Sequence, residues 1–90
     1  MGVRITCTLQ AEAEDHVRYS IEIHEPTSPG RGSATVAREL GEVTFGGWSP
    51  DAPSDDLVTL ARAFLRAAWS ATRKADPEPW PRKIDRWRAR

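Results

Sequence analysis

The chain has one cysteine, Cys7, so no disulfide can form within it. That absence favours a reducing compartment, and the expectation is a cytoplasmic protein. Lysine is scarce: two lysines stand beside eleven arginines. No apolar stretch approaches the roughly 20 residues that a membrane-spanning helix needs. The first residues alternate like structure and lack the continuous apolar stretch of a signal peptide. No Gly-rich loop ending in Lys and Ser or Thr occurs, no dinucleotide fingerprint and no serine nucleophile elbow. One cysteine with two distant histidines does not supply the three or four convergent ligands of a metal site. The expectation is a non-catalytic protein with no cofactor, no metal and no catalytic set.

Net charge is also missing. Thirteen basic residues balance thirteen acidic ones over 90 residues, which excludes a uniformly basic nucleic-acid protein. The balance hides a split: residues 1–61 carry a net −6 and residues 62–90 a net +6. Such a split can present two faces to two partners or drive head-to-tail association. With 39% hydrophobic and 29% charged residues, the composition is that of one folded domain.

What is present reads as α+β. Val3, Ile5, Cys7 and Leu9 alternate with Arg4, Thr6 and Thr8, the signature of a half-buried strand. Val17, Tyr19, Ile21 and Ile23 repeat the pattern across residues 17–23. The acidic stretch 11–15 has hairpin length. Pairing Leu9 with Val17 sets Arg4 opposite Glu22, Thr6 opposite Ser20 and Cys7 opposite Tyr19. On that apolar face Cys7 reads as core filler and not as a nucleophile served by His16 or His24. His16 with the acids Glu12–Asp15 reads as a solvated turn.

Residues 25–33 have loop composition, and Gly30-Arg31-Gly32 reads as a turn of the chain. Residues 34–40 fit either a strand or a short helix ended by Gly41. Residues 42–46 read as a strand with Val43 and Phe45 inward, closed by Gly46-Gly47.

Residues 54–74 carry the strongest helix signals. Ser54 stands at the N-cap position, Asp55 and Asp56 fall in the first turn, and Arg73 and Lys74 close the far end. Leu57, Leu60, Ala61, Phe64, Ala68 and Ala71 make one apolar stripe, and Val58, Leu65 and Trp69 a second. The second stripe needs cover from the C-terminal tail or from a second copy of the chain. The expected architecture is an antiparallel sheet of three or four strands packed on one long helix, plus a short Trp/Arg-rich segment. Residues 1–75 make the α+β domain and 76–90 a basic aromatic tail. The order strand–strand–strand–helix is similar to that of small antitoxins, double-stranded-RNA-binding domains and bacterial adaptor proteins, a likeness of element order that carries no motif.

In the tail, Pro77, Pro79 and Pro81 stiffen the approach, and Pro81 suits the first position of a short helix. Trp80, Ile84 and Trp87 then share one helical side. They either dock on the Val58–Leu65–Trp69 stripe or meet a partner. The candidate partner-binding residues are Trp69, Trp80, Arg82, Lys83, Ile84, Arg86, Trp87 and Arg88. Tryptophan and arginine are the common anchors of protein interfaces. The function expected is a small protein-interaction module, as a homodimer or assembly subunit. The alternative is nucleic-acid binding by the basic C-terminal third. A third reading, a small enzyme with a dimer-interface site, rests only on Tyr19, His16 and His24.

Overall fold

The computed structural model describes residues 2–26 and 29–89. Thr27 and Ser28 of the expected loop, and Arg90 of the tail, lie outside them. The element order is β1 (Gly2–Glu12), β2 (His16–His24), β3 (Gly30–Ala37), β4 (Val43–Ser49), α1 (Asp55–Thr72) and β5 (Lys83–Ala89). The strands form one five-stranded sheet in the order β4-β3-β2-β1-β5. Every neighbouring pair is antiparallel. The fold is α+β as expected, with five strands in place of three or four.

Alternation decides which side of the sheet is dry. Val3, Ile5 and Cys7 of β1, Val17, Tyr19, Ile21 and Ile23 of β2, and Ala34 and Val36 of β3 are buried. Leu57, Ala61, Phe64 and Leu65 of α1 belong to the same core, so the helix contributes its apolar side to the strands' inner face. The four strands β1 to β4 run as a meander, and β4 and β5 point the same way at opposite edges. The connection between them must therefore cross the sheet. An 18-residue helix is about 27 Å long, and four inter-strand steps span about 19 Å, so one helix suffices.

The first hairpin keeps the expected faces but moves by two residues. Leu9 pairs with Tyr19, Thr6 with Glu22, Arg4 with His24 and Cys7 with Ile21. A two-residue shift leaves every side chain on its own face, so hydrophobic pattern alone cannot fix it. An irregularity between Leu9 and Ala11 carries β1 on to Glu12, and the loop shrinks to residues 13–15. Residues 34–37 resolve as strand. Gly30-Arg31-Gly32 does not turn the chain but opens β3, where Gly32 pairs with Ile21. A β-carbon on Gly32 would sit 2.5 Å from the Trp48 ring, so the small residue leaves room for that indole of β4. Gly46-Gly47 does not end β4, which continues through Trp48 to Ser49.

Helix α1 begins after Ser54, whose carbonyl accepts the N–H groups of Leu57 and Val58. The Ser54 hydroxyl donates to the Asp56 carboxylate and makes no side-chain cap bond to a backbone N–H. At its Trp69 end the second apolar stripe has cover from within the chain. The turn between β3 and β4 does this work. Trp69 Nε1 donates to the Arg38 carbonyl at 2.8 Å, and Arg73 donates to the same oxygen at 3.0 Å. Arg66 donates to the Gly41 carbonyl at 2.9 Å. Gly41 has a φ of 70°, and a β-carbon there would sit 2.5 Å from the Trp69 ring. The turn thus requires glycine for its backbone and for its contact. The guanidinium groups of Arg66 and Arg73 lie 5.4 and 5.2 Å from the indole centroid, within cation–π range.

Residues 83–89 correct the reading of the tail as a short helix. They pair with β1 in unbroken register from Gly2↔Ala89 to Thr8↔Lys83. The free edge of β1 offers a row of backbone hydrogen bonds that a short isolated helix cannot match. No helix of the described residues is long and apolar enough to cross a membrane.

Candidate interaction surface

The linker before β5 fixes the strand's position. Trp80 is buried beside Tyr19, with ring centroids 6.4 Å apart. The Tyr19 hydroxyl donates to the Pro81 carbonyl at 2.7 Å, and the Leu9 N–H to the Arg82 carbonyl at 2.8 Å. Burial raises the Tyr19 pKa, so the phenol stays a donor. The Glu78 N–H returns to the Ala71 carbonyl near the helix end. The chain therefore enters β5 at a set height.

Strand geometry then splits the tail's side chains. Ile84, Arg86 and Arg88 lie opposite Cys7, Ile5 and Val3, on the helix side of the sheet. Lys83, Asp85 and Trp87 lie opposite Thr8, Thr6 and Arg4, on the open side. Trp87 is thereby set on the face opposite Ile84. Trp80 and Ile84 are buried, while Trp87 is 64% exposed. Its indole rests flat on β1 at Gly2, where a β-carbon would come within 2.4 Å of the ring. Trp80 and Ile84 join the core cluster that holds Leu65 of the second stripe, and Trp87 does not.

The open side holds one well-made ion pair. Arg4 Nε and Nη2 both reach the Asp85 carboxylate, at 2.8 and 2.6 Å, and Thr6 Oγ1 donates to it at 3.1 Å. The Arg4 hydrogen bonds hold the Asp85 carboxyl down at about 2, and raise the Arg4 pKa in turn. Asp85 is thus committed to β1. Arg4 meets His24 and Trp87 across the strands, not Glu22 as the expected register had it.

On the helix side the described cations have no carboxylate partner among the described residues. Among the described residues, Arg86 and Arg88 make no ion pair. Arg86 donates to the Asp85 carbonyl at 3.1 Å, and Arg88 lies 5.7 Å from the centre of the Phe64 ring. Between α1 and β5 runs a groove of about 260 Å³. Phe64, Ala68, Ala71, Pro79, Pro81 and Ile84 give it apolar walls, with Lys83, Arg86 and Glu78 at the rim. No described strand lies beyond β5. The arrangement is a sheet edge with no described strand beyond it, a groove with apolar walls and a charged rim, and cations along the strand.

Of the residues singled out from the sequence, Lys83, Ile84, Arg86 and Arg88 come together on this edge. Arg82 precedes them, exposed. Trp80 anchors the linker and Trp69 holds the β3–β4 turn, so neither tryptophan stands on the edge itself. Sequence reasoning missed the groove. Its signal was the small-residue run Ala67, Ala68 and Ala71, which leaves space where the helix passes the edge strand.

The residues weighed for chemistry stay apart. Cys7 is wholly buried, and burial pushes its thiol up to about 12. His16 and His24 stand at the two ends of β2, about 27 Å apart along an extended strand and on the opposite face from Cys7. His16 pairs with Asp15 at 2.7 Å and His24 with Glu22 at 3.5 Å. His16 holds the Asp15 carboxyl below its ordinary range. No group of three or more His, Cys, Asp or Glu able to hold a metal ion occurs among the described residues. Comparison of the chain with protein-family models, with curated proteins and with solved structures finds no match.

Proposed function

We propose that the protein is a small non-catalytic interaction module that engages a partner protein through β5 and the groove beside it. The observation that carries this reading is the regular edge of β5, with no described strand beyond it, next to a groove with largely apolar walls; Arg86 stands at the groove's rim and Arg88 further along the edge, neither in an ion pair among the described residues. A sheet edge supplies main-chain hydrogen bonds to an added segment, and adjoining pockets supply selectivity. Arginine suits such a rim because its flat guanidinium makes paired bonds to carboxylates.

Self-association is the other form this reading takes, and it has less support at β5. Antiparallel pairing of two β5 strands brings Arg86 and Arg88 of both copies onto one face, where like charges repel. Nucleic-acid binding by the basic C-terminal third draws support from the exposed Trp87 and the four cations Arg82, Lys83, Arg86 and Arg88. Base stacking with phosphate contact needs aromatic and cationic groups on a common surface. Here Trp87 faces one way and Arg86 and Arg88 the other, which favours the protein partner.

The test is quantitative capture from native lysate, comparing the unaltered chain with a double variant, Arg86→Glu with Arg88→Glu. Both side chains are exposed, so the variant should keep its fold, checked by its thermal transition. The expected result is at least one protein held by the unaltered chain and released by the variant. Identical sets of captured proteins would overturn the reading.

A further inference from the structure

We infer that the occupant of the β5 edge is an extended acidic segment that adds as a sixth, antiparallel strand, with the pattern acidic–x–acidic–x–apolar. The inference rests on the interaction reading above and names the partner's chemistry.

The pattern follows from position. An added strand places its side chains alternately on the two faces, opposite those of β5. On the helix side it meets Arg88, then Arg86, then Ile84, if it runs antiparallel as every other pair in the sheet does. The first two positions lie opposite guanidinium groups without ion-pair partners among the described residues. Carboxylates there gain charge-assisted hydrogen bonds. The third lies opposite Ile84, over the groove walled by Phe64, Ala68 and Ala71. Glu78 stands at that end and repels a carboxylate, so an apolar side chain belongs there. The two intervening residues fall on the open side, opposite Trp87 and Asp85. Asp85 disfavours an acid at the second of these.

Charge also explains why the edge can stay regular. Charged side chains keep an open strand from pairing indiscriminately. A row of one sign excludes a second copy of itself and admits a strand of the opposite sign.

The probe is a synthetic peptide, acetyl-Thr-Glu-Thr-Glu-Thr-Leu-Thr-amide, titrated into the full chain and followed by backbone amide NMR. The expected result is binding with a Kd on the order of 100 µM, with the largest shifts in β5 and slowed exchange of its outward amides. Replacing both Glu by Lys should weaken binding at least about tenfold, and so should N-methylating alternate peptide nitrogens. Absence of binding at about 1 mM peptide would overturn the inference. Equal binding by the Lys or the N-methylated peptide would overturn it as well. So would mixed-sequence single-stranded DNA that shifts β5 where the Glu peptide does not. If lysate capture succeeds while the peptide fails, the partner's chemistry is wrong and the interaction reading stands. If both fail, the reading falls with it.

Discussion

The two edges of the sheet are protected in different ways. β4 carries no charged residue from Val43 to Ser49, which by composition makes it the more adhesive edge. Its protection is shape. Between the pairs Ser33↔Gly46 and Arg31↔Ser49, β4 spends one residue more than β3, and Gly47 sits there with a φ of 66°. Such a bulge bends the strand and breaks the ladder that an incoming strand would need. Phe45 and Trp48 stack on each other with centroids 5.7 Å apart, and the Arg62 guanidinium lies 5.3 Å from the Phe45 centroid. β5 has no break in register, and its protection is charge alone. A bent edge refuses every strand, whereas a charged edge refuses only strands of its own sign. The unbent edge is therefore the one suited to a partner.

The largest effect is expected from releasing β5 from its anchor. Trp80→Ala removes a buried indole beside Tyr19 and should cost about 3–5 kcal/mol, read from urea denaturation. Amide exchange should rise more in β5 than in β3, because Trp80 sets the linker that delivers β5. Equal acceleration in both strands would show that the edge is not held this way.

Deleting Gly47 removes the other guard. Trp48 then falls opposite Gly32 in a regular register, and β4 becomes a straight edge without charge. The expected outcome is concentration-dependent association in sedimentation runs at about 10–100 µM, where the unaltered chain stays a single species. A deletion variant that sediments like the unaltered chain would argue that shape is not what protects β4.

Much of the fold was legible in the sequence, for a physical reason that also explains the failures. β1 and β2 are buried on one face and wet on the other, so alternation exposes them, and the helix carries its own end signals. β3 is small and polar, with Gly32 making room for the Trp48 ring, and its Gly and Ser residues imitate a loop. β5 passes beyond the helix's cover, so only Ile84 of its inner-face residues is buried and alternation is lost. The spacing of Trp80, Ile84 and Trp87 then imitates a helix. The cations of the candidate surface could be named, but their division between two faces exists only once residues 83–89 are known to be a strand.

A milder change removes the positive charge from β5. Replacing Lys83, Arg86 and Arg88 by threonine together leaves a regular edge with its charge guard removed. Dimerisation through β5 is expected, weaker than the association caused by the Gly47 deletion, since Asp85 remains as a charge on each copy. Light scattering at about 100 µM would show it, and a strictly monomeric triple variant would count against charge as the guard.

The smallest expected effect concerns acid. The Asp85 carboxyl is lowered to about 2 in the folded chain from an ordinary value near 3.8, chiefly by its hydrogen bonds from Arg4. A depressed carboxylate lends stability above its unfolded pKa and loses it as the pH falls through the folded one. The unaltered chain should therefore lose stability between pH ~4 and ~2 more steeply than Asp85→Asn. Urea midpoints at the two ends of that window measure the difference, which parallel slopes would erase.

The pairing of β1 with β5 has a consequence for the chain while it is being made. Arg4 and Asp85 are 81 residues apart, so β1 leaves the ribosome well before the strand that becomes its second neighbour. Until then a strand bearing Val3, Ile5 and Cys7 shows a straight backbone edge with Arg4 as its lone charge before Glu12. A stalled or clipped chain ending before Lys83 would leave that edge open for good. Such fragments should be sticky where the chain that carries both strands is not, which makes β5 a cap on β1.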